Sequence, residues 1–137
     1  MTLGEETIWK PLKAGGLMEQ IGPLMSARNE LGGFVYALQT TKDHSNALGL
    51  VHGGVITSLL DQAIALEAWN AADRAPCVTV QLDTRFVSAS KPGARLQARA
   101  TVRETTGSLM FLDAEVLDGV QVIALATAVM KISRKAA

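Results

Sequence analysis

With 137 residues, 13 of them basic and 13 acidic, the chain carries no formal net charge and is long enough for one domain with a real core but not for two. That balance argues against a surface built for nucleic acid or an anionic membrane, and the single cysteine, Cys77, rules out an internal disulfide and fits a reducing compartment. An apolar share of 48% is generous for so small a unit and points to surface buried between subunits. No apolar run is long enough to span a bilayer, and the opening MTLGEETIWKPLK is charged and has no apolar signal core, so a cytoplasmic protein is expected.

In chain order, residues 1–18 read as an arm anchored by Trp9 and broken at Gly15-Gly16. Residues 17–27 suggest a short helix interrupted at Gly22-Pro23. From Gly33 to Thr41 the alternation of Phe34, Tyr36 and Leu38 predicts a strand. Residues 42–51 form a polar, glycine-bearing loop that delivers His52 to a long helix from Gly53 to about Ala72. Apolar residues lie on most sides of that helix (Val55, Ile56, Leu59, Leu60, Ile64, Leu66, Trp69), so it should be central and buried. Asp73-Arg74-Ala75-Pro76 stops it. Four strand-like runs follow, Cys77–Val87, Ala94–Thr105, Leu109–Leu117 and Val120–Ile132, separated by Lys91-Pro92-Gly93, Thr106-Gly107-Ser108 and Asp118-Gly119. The short turns predict a four-stranded antiparallel meander, and the last run is apolar enough to be buried on both faces. The fold class is α+β, an antiparallel sheet wrapped around one long helix, in a single domain over residues 1–137.

One stripe of the helix is small and polar: Gly54, Ser58, Asp61, Ala65 and Ala68 recur at helical spacing, with Thr57 beside them. An acid on so apolar a helix is costly unless paired or used, and desolvation would make Asp61 a stronger base. At the start of the helix, the Gly53 N–H and the positive end of the helix dipole can polarise a carbonyl, and glycine lets that carbonyl come close. Asp61 and Gly53 lie about 12 Å apart along the helix, too far to serve one carbonyl, which itself argues for a two-fold site. No Gly-x-Ser-x-Gly elbow, Walker loop or dinucleotide loop occurs. His44 and His52 with one distant cysteine do not make a metal site, so no metal or cofactor is expected.

Strand, loop, His52-Gly53-Gly54, a long helix bearing Asp61, then four strands resembles the hotdog-fold acyl-CoA thioesterases, and within them the phenylacetate-pathway type; the likeness covers roughly residues 30–133. The resemblance implies an active site of Asn46, His52, Gly53, Asp61 and Thr79, with Thr at 79 keeping the hydroxyl of the commoner Ser. It implies hydrolysis of an acyl-CoA to acid and CoA in a homodimer or dimer of dimers, one subunit's loop and glycines facing its partner's acid and hydroxyl. Coenzyme A enters only as part of the substrate. Asp61 acts either as general base on water or as a nucleophile forming an anhydride, and His52 either touches substrate or fixes the loop. Gly54, Ser58, Ser90 and Lys91 are the expected substrate contacts. Plainer uses stand beside these: Asn46 as a turn former, His52-Gly53-Gly54 as a helix entry, and Thr79 on a polar strand face with Gln81, Asp83 and Arg85. Arg95, Arg99 and Arg103 share a strand face, better read as solvated than as a site for CoA phosphates. A hotdog hydratase-dehydratase and a non-catalytic acyl-CoA-binding module are the alternative functions.

Overall fold

The computed structural model describes residues 7–29, 31 and 33–133. Its elements are β1 (Lys10–Leu12), α1 (Gly16–Ile21), β2 (Leu24–Arg28), β3 (Phe34–Gln39), a single 3-10 turn (Lys42–His44), α2 (Gly53–Ala71), β4 (Cys77–Phe86), β5 (Arg95–Thr106), β6 (Leu109–Asp118) and β7 (Gln121–Ile132). The seven strands form one antiparallel sheet in the order β1-β2-β3-β5-β6-β7-β4, and α2 packs on its concave face. This is the hotdog arrangement expected from the sequence.

The core lies between α2 and the sheet. Ile56, Leu59, Leu60, Ala63 and Ile64 of the helix meet Leu96 and Ala98 of β5, Met110 and Leu112 of β6, and Ala124, Ala126, Ala128 and Met130 of β7, all buried. Burial of each large aliphatic side chain contributes roughly 1.5–3 kcal/mol. The helix ends where Asp73 (φ 52) and Arg74 (φ 66) turn left-handed. There the Arg74 N–H donates to the Trp69 carbonyl at 2.8 Å, closing the last turn, and its guanidinium lies 5.2 Å over the Trp69 ring. Two-residue turns at Gly107-Ser108 and Gly119-Val120 join β5 to β6 and β6 to β7, with both glycines at positive φ.

Four expectations need correction. Leu24–Arg28 is a strand, not part of a helix, because five residues of β3 offer it a ladder; Leu, Met, Ser, Ala and Arg carry little strand signal of their own. The supposed arm supplies β1, which extends that ladder, although Trp9 is anchored as expected, with the Arg95 guanidinium 4.7 Å over its ring; residues 1–6 lie outside the described residues. The last four strands are not a meander: β5-β6-β7 is one, but β4 pairs with β7 at the far edge. The helix carries the chain across the whole sheet, so β4 lands beside β7 and the chain returns to β5 beside β3. Finally, β7 is buried on one face only, with Leu125, Thr127 and Lys131 exposed on the other.

The helix also holds a second acid. Glu67 is half-buried, and its Oε1 accepts a hydrogen bond from the hydroxyl of buried Tyr36 at 3.2 Å. Burial pushes the Glu67 carboxyl above its ordinary value, against the opposing pull of the Tyr36 hydroxyl. Burial, then the neighbouring Glu67 charge, pushes the Tyr36 phenol up as well. The folded chain therefore holds the Glu67 proton more tightly than the unfolded chain does. Stability from this group is full below the unfolded carboxylate value and is lost as pH rises through the raised one. Glu67→Gln should accordingly raise the Tm at pH 8 by about 1–4 °C, with the gain shrinking toward pH 4, in thermal unfolding followed by circular dichroism. A lower Tm at pH 8 would show that the charge itself is stabilising.

Candidate active site

The loop before α2 is braced largely by its own side chains. In the 3-10 turn, the Thr41 hydroxyl accepts from the Asp43 N–H and His44 Nδ1 accepts from the Thr41 N–H at 2.9 Å, a reciprocal cap. His44 Nε2 then donates to the Ile21 carbonyl at the end of α1 at 2.7 Å, and the His44 carbonyl accepts from the His52 N–H at 2.8 Å. Asn46 turns the next stretch: its Oδ1 accepts from the N–H groups of Leu48 (2.9 Å) and Leu50 (3.1 Å). The turn-forming role of Asn46 is thus real. Among the described residues its Nδ2 makes no hydrogen bond, and the residue lines a pocket of about 320 Å³.

His52 is the N-cap of α2. Its Nδ1 accepts from the Gly54 N–H at 2.8 Å, which places the proton of the neutral ring on Nε2. Of the two roles open to it, this geometry supplies the one that fixes the helix entry. Gly54 is therefore committed to the cap, and a Cβ there would sit 2.9 Å from the ring nitrogen. The Gly53 N–H makes no hydrogen bond among the described residues and lies in the Asn46 pocket. A Cβ at Gly53 would lie 3.2 Å from the Phe86 ring of β4, which would have to shift by a few tenths of an ångström to admit it. Leu50, Val51, Ile56, Phe86, Val87, Ser88, Ala89 and Ser90 complete this wall. Phe86 gives no sequence signal beyond being an aromatic at a strand end.

The second cluster lies eight residues further along the helix. Asp61 Oδ1 accepts from the Thr79 hydroxyl at 2.8 Å. Thr79 is not on the face shared by Gln81, Asp83 and Arg85. A bulge between Thr79 and Gln81 leaves Val80 as the extra residue and reverses the alternation, so Thr79, opposite buried Met130, faces the helix. Asp61 is half-buried and opens on a groove of about 200 Å³ with Gly15, Leu17, Met18, Ser58 and Gln62. The enclosure expected around Asp61 is thus not supplied by one chain. The Ser58 hydroxyl donates to the Gly54 carbonyl at 2.8 Å, back-bonded within the helix. Lys91 is exposed in the turn before β5.

The arginine face of β5, expected to be solvated, is instead engaged by neighbouring side chains. Arg95 stacks on Trp9, Arg99 Nε bonds Glu115 at 2.6 Å, and Arg103 approaches Asp113 at 3.5 Å, all on the convex side. The structure therefore gathers Asn46, His52, Gly53, Gly54 and Ser90 at one end of the helix, and Ser58, Asp61 and Thr79 midway along it.

Comparison with known proteins bears on the family and the fold. A family model described as the thioesterase superfamily matches residues 48–124. The human protein named acyl-coenzyme A thioesterase 13 is 24% identical over 106 residues, 77% of this chain and 76% of its own. The structure of a point mutant of the phenylacetic acid degradation protein PaaI from Thermus thermophilus aligns at 28% identity and TM-score 0.75, covering 85% of this chain and 97% of that one. The BH2602 protein of Bacillus halodurans, crystallised with CoA, aligns at 24% identity and TM-score 0.77 over 91% and 83% of the two chains. The match spans the helix entry, the helix, three whole strands and the start of β7, and on it the chain belongs to the thioesterase superfamily, a thioester hydrolase with a hotdog fold.

Proposed function

We propose that the protein hydrolyses an acyl-CoA thioester at sites assembled between two copies of the chain. The observation that carries this is the separation of complementary groups on one helix. The unpartnered Gly53 N–H and the Asp61–Thr79 pair lie about 12 Å apart along α2 and open on different pockets. A carbonyl held by the first is out of reach of the second in the same chain. The edge strand β4 carries a neighbour of each: Phe86 against Gly53 and Thr79 bonded to Asp61. Antiparallel pairing of two β4 strands, centred between Leu82 and Asp83, sets Thr79 opposite the partner's Phe86, to within the residue added by the bulge. Val78, Val80 and Phe86 are each more than half exposed in the single chain, as an edge awaiting such a partner would be.

In this arrangement the Gly53 N–H, aided by the helix dipole, takes up the charge that develops on the carbonyl oxygen. Asn46 lines the same pocket, and its Nδ2, bonded to nothing among the described residues, supplies a second donor. From the other chain Asp61, held at one oxygen by Thr79, presents its other oxygen to water as a base or to the carbonyl as a nucleophile. His52 acts through the cap. The human relative's name and the CoA in the Bacillus halodurans structure support coenzyme A as the thiol. Among the described residues no helix is long and apolar enough to cross a membrane. An acyl-CoA substrate fits the cytoplasm expected from the sequence.

Asn in place of Asp61 keeps the size and the contact with Thr79 but can neither take a proton nor attack. Asp61→Asn should lose roughly 10²–10⁴ in kcat with little change in KM or Tm, followed by thiol release from a panel of acyl-CoAs. Turnover close to wild type would remove Asp61 from the chemistry. Assembly in trans is tested by refolding Asp61→Asn together with Asn46→Asp, which keeps the loop-holding oxygen but loses the amide donor. Some heterodimers then carry one intact site, so activity should recover well above either variant alone. No recovery, with exchange confirmed by mass after isotopic labelling of one variant, would place all groups within one chain.

The cap makes a separate prediction. His52→Ala should cost about 0.5–2 kcal/mol of stability in denaturant unfolding, whereas His52→Asn, another good cap, should restore stability and most activity. If His52→Asn is stable but inactive, His52 touches the substrate.

A further inference from the structure

Helix α1 is too short to hold itself in place. Its six residues make fewer than two turns, well under the length at which an isolated helix survives in water. Its position therefore depends on what it touches. Met18 is buried in the core, but Leu17 is 64% exposed, and the chain enters the helix through Gly15 and Gly16 at positive φ. At the far end the Ile21 carbonyl, left over by the helix, accepts from His44 Nε2 at 2.7 Å, a partner 23 residues away. The near end of α1 forms part of a half-site: Gly15, Leu17 and Met18 wall the groove of Asp61 with Ser58 and Gln62.

The rest of His44 serves the other half-site. Its Nδ1 accepts from the Thr41 N–H at 2.9 Å, and its carbonyl accepts from the His52 N–H at 2.8 Å. The second bond closes the base of the loop that carries Asn46 and ends in the cap of α2. Within that loop Ser45 and Val51 face each other in a bridge, so a shift at His44 is passed directly to the residue before the cap. A backbone N–H only donates and a carbonyl only accepts, so the neutral ring with its proton on Nε2 is the one form that meets both ring partners. The other tautomer would set donor against donor and lone pair against lone pair.

We propose that His44 is a positioning residue for the hydrolysis, tying α1, beside Asp61, to the loop that aims Asn46 and the Gly53 N–H, so that one ring sets both half-sites of a chain. The inference rests on the two-chain site proposed above. Because the half-sites of one chain belong to different sites of the pair, each His44 then acts on both sites of a dimer. His44 itself lines neither pocket and touches no reacting atom.

The test separates the two ring bonds. His44→Glu keeps an acceptor for the Thr41 N–H, the usual partner in such a cap, but offers the Ile21 carbonyl no donor. His44→Gln carries an acceptor and a donor side by side, as the ring does. Turnover is measured on the best-cleaved acyl-CoA of the panel, at a temperature where circular dichroism shows every variant folded. His44→Glu should lose roughly ten- to a hundredfold in kcat, the cost of a small misplacement. His44→Gln should stay within about threefold of wild type. His44→Asn, too short to reach Ile21, should match His44→Glu and covers the case in which glutamate prevents folding. Wild-type turnover in His44→Glu or His44→Asn, or an equal loss in His44→Gln, overturns the positioning role.

Refolding in pairs then shows which half-sites are affected. His44→Glu should recover less with Asp61→Asn, and less with Asn46→Asp, than those two recover with each other. Full recovery with Asp61→Asn would confine the effect to the loop, and full recovery with Asn46→Asp would confine it to α1; either overturns the joint role. If Asp61→Asn and Asn46→Asp fail to recover together, the two-chain site falls, and this inference with it.

Discussion

The structure depends on how closely one helix can approach one sheet. On the concave face of β7, Ala124, Ala126 and Ala128 replace the large residues a buried strand usually carries, and Ala63 and Ala68 do the same on α2. Large side chains are concentrated on either side of that seam, as Leu59, Leu60 and Ile64 on the helix and Met110, Leu112 and Met130 on the sheet. Alternating small against large is how two surfaces fill space at interior density without voids. Seated this way, α2 buries one flank and leaves the flank bearing Ser58, Asp61 and Gln62 partly open. The open flank and the β4 edge are thus consequences of the core, and both half-sites lie along them.

Much of the fold is legible in the sequence because it is written in local signals. Nineteen residues of α2 contain no proline and begin at a residue able to cap, and the two-residue turns at Gly107 and Gly119 announce themselves. What is not legible is non-local. β2 exists because β3 offers it an edge and β1 because β2 does, and nothing in Lys-Pro-Leu or Leu-Met-Ser-Ala-Arg demands a strand. The place of β4 beside β7 depends on a nineteen-residue crossover that no turn motif can encode, so the turn residues Lys91-Pro92-Gly93 between β4 and β5 suggest a meander one strand too long.

The site divides in the same way. Gly53, His52 and Asp61 are legible because each breaks the pattern around it: two glycines before a helix, a polar cap, an acid on a small stripe. Thr79 is found by its place in the family pattern but falls on the wrong face, since a bulge of one residue reverses alternation and leaves no mark in the sequence. At Asn46 the plain role is visible and leaves room for the proposed one: its Oδ1 holds the loop, and the residue also lines the pocket. Tyr36 and Glu67 escape sequence reasoning because a tyrosine at alternating spacing and a glutamate on a long helix are both ordinary until burial brings them together.

The proposed pairing of β4 with a second copy joins two problems that the single chain leaves open. A ten-residue edge strand with exposed valines at 78 and 80 is a template for unwanted association, and it carries neither proline nor lysine to blunt it. The same strand holds the neighbours of both half-sites, Thr79 beside Asp61 and Phe86 beside Gly53. Covering the edge with another copy of itself satisfies its backbone and brings a donor within reach of an acid in one event. An unmatched partner strand would satisfy the backbone but bring no acid to Gly53. The proposed catalytic geometry and the protection of the edge would therefore select the same partner, and a substitution that weakens the β4 edge should act on stability and turnover together.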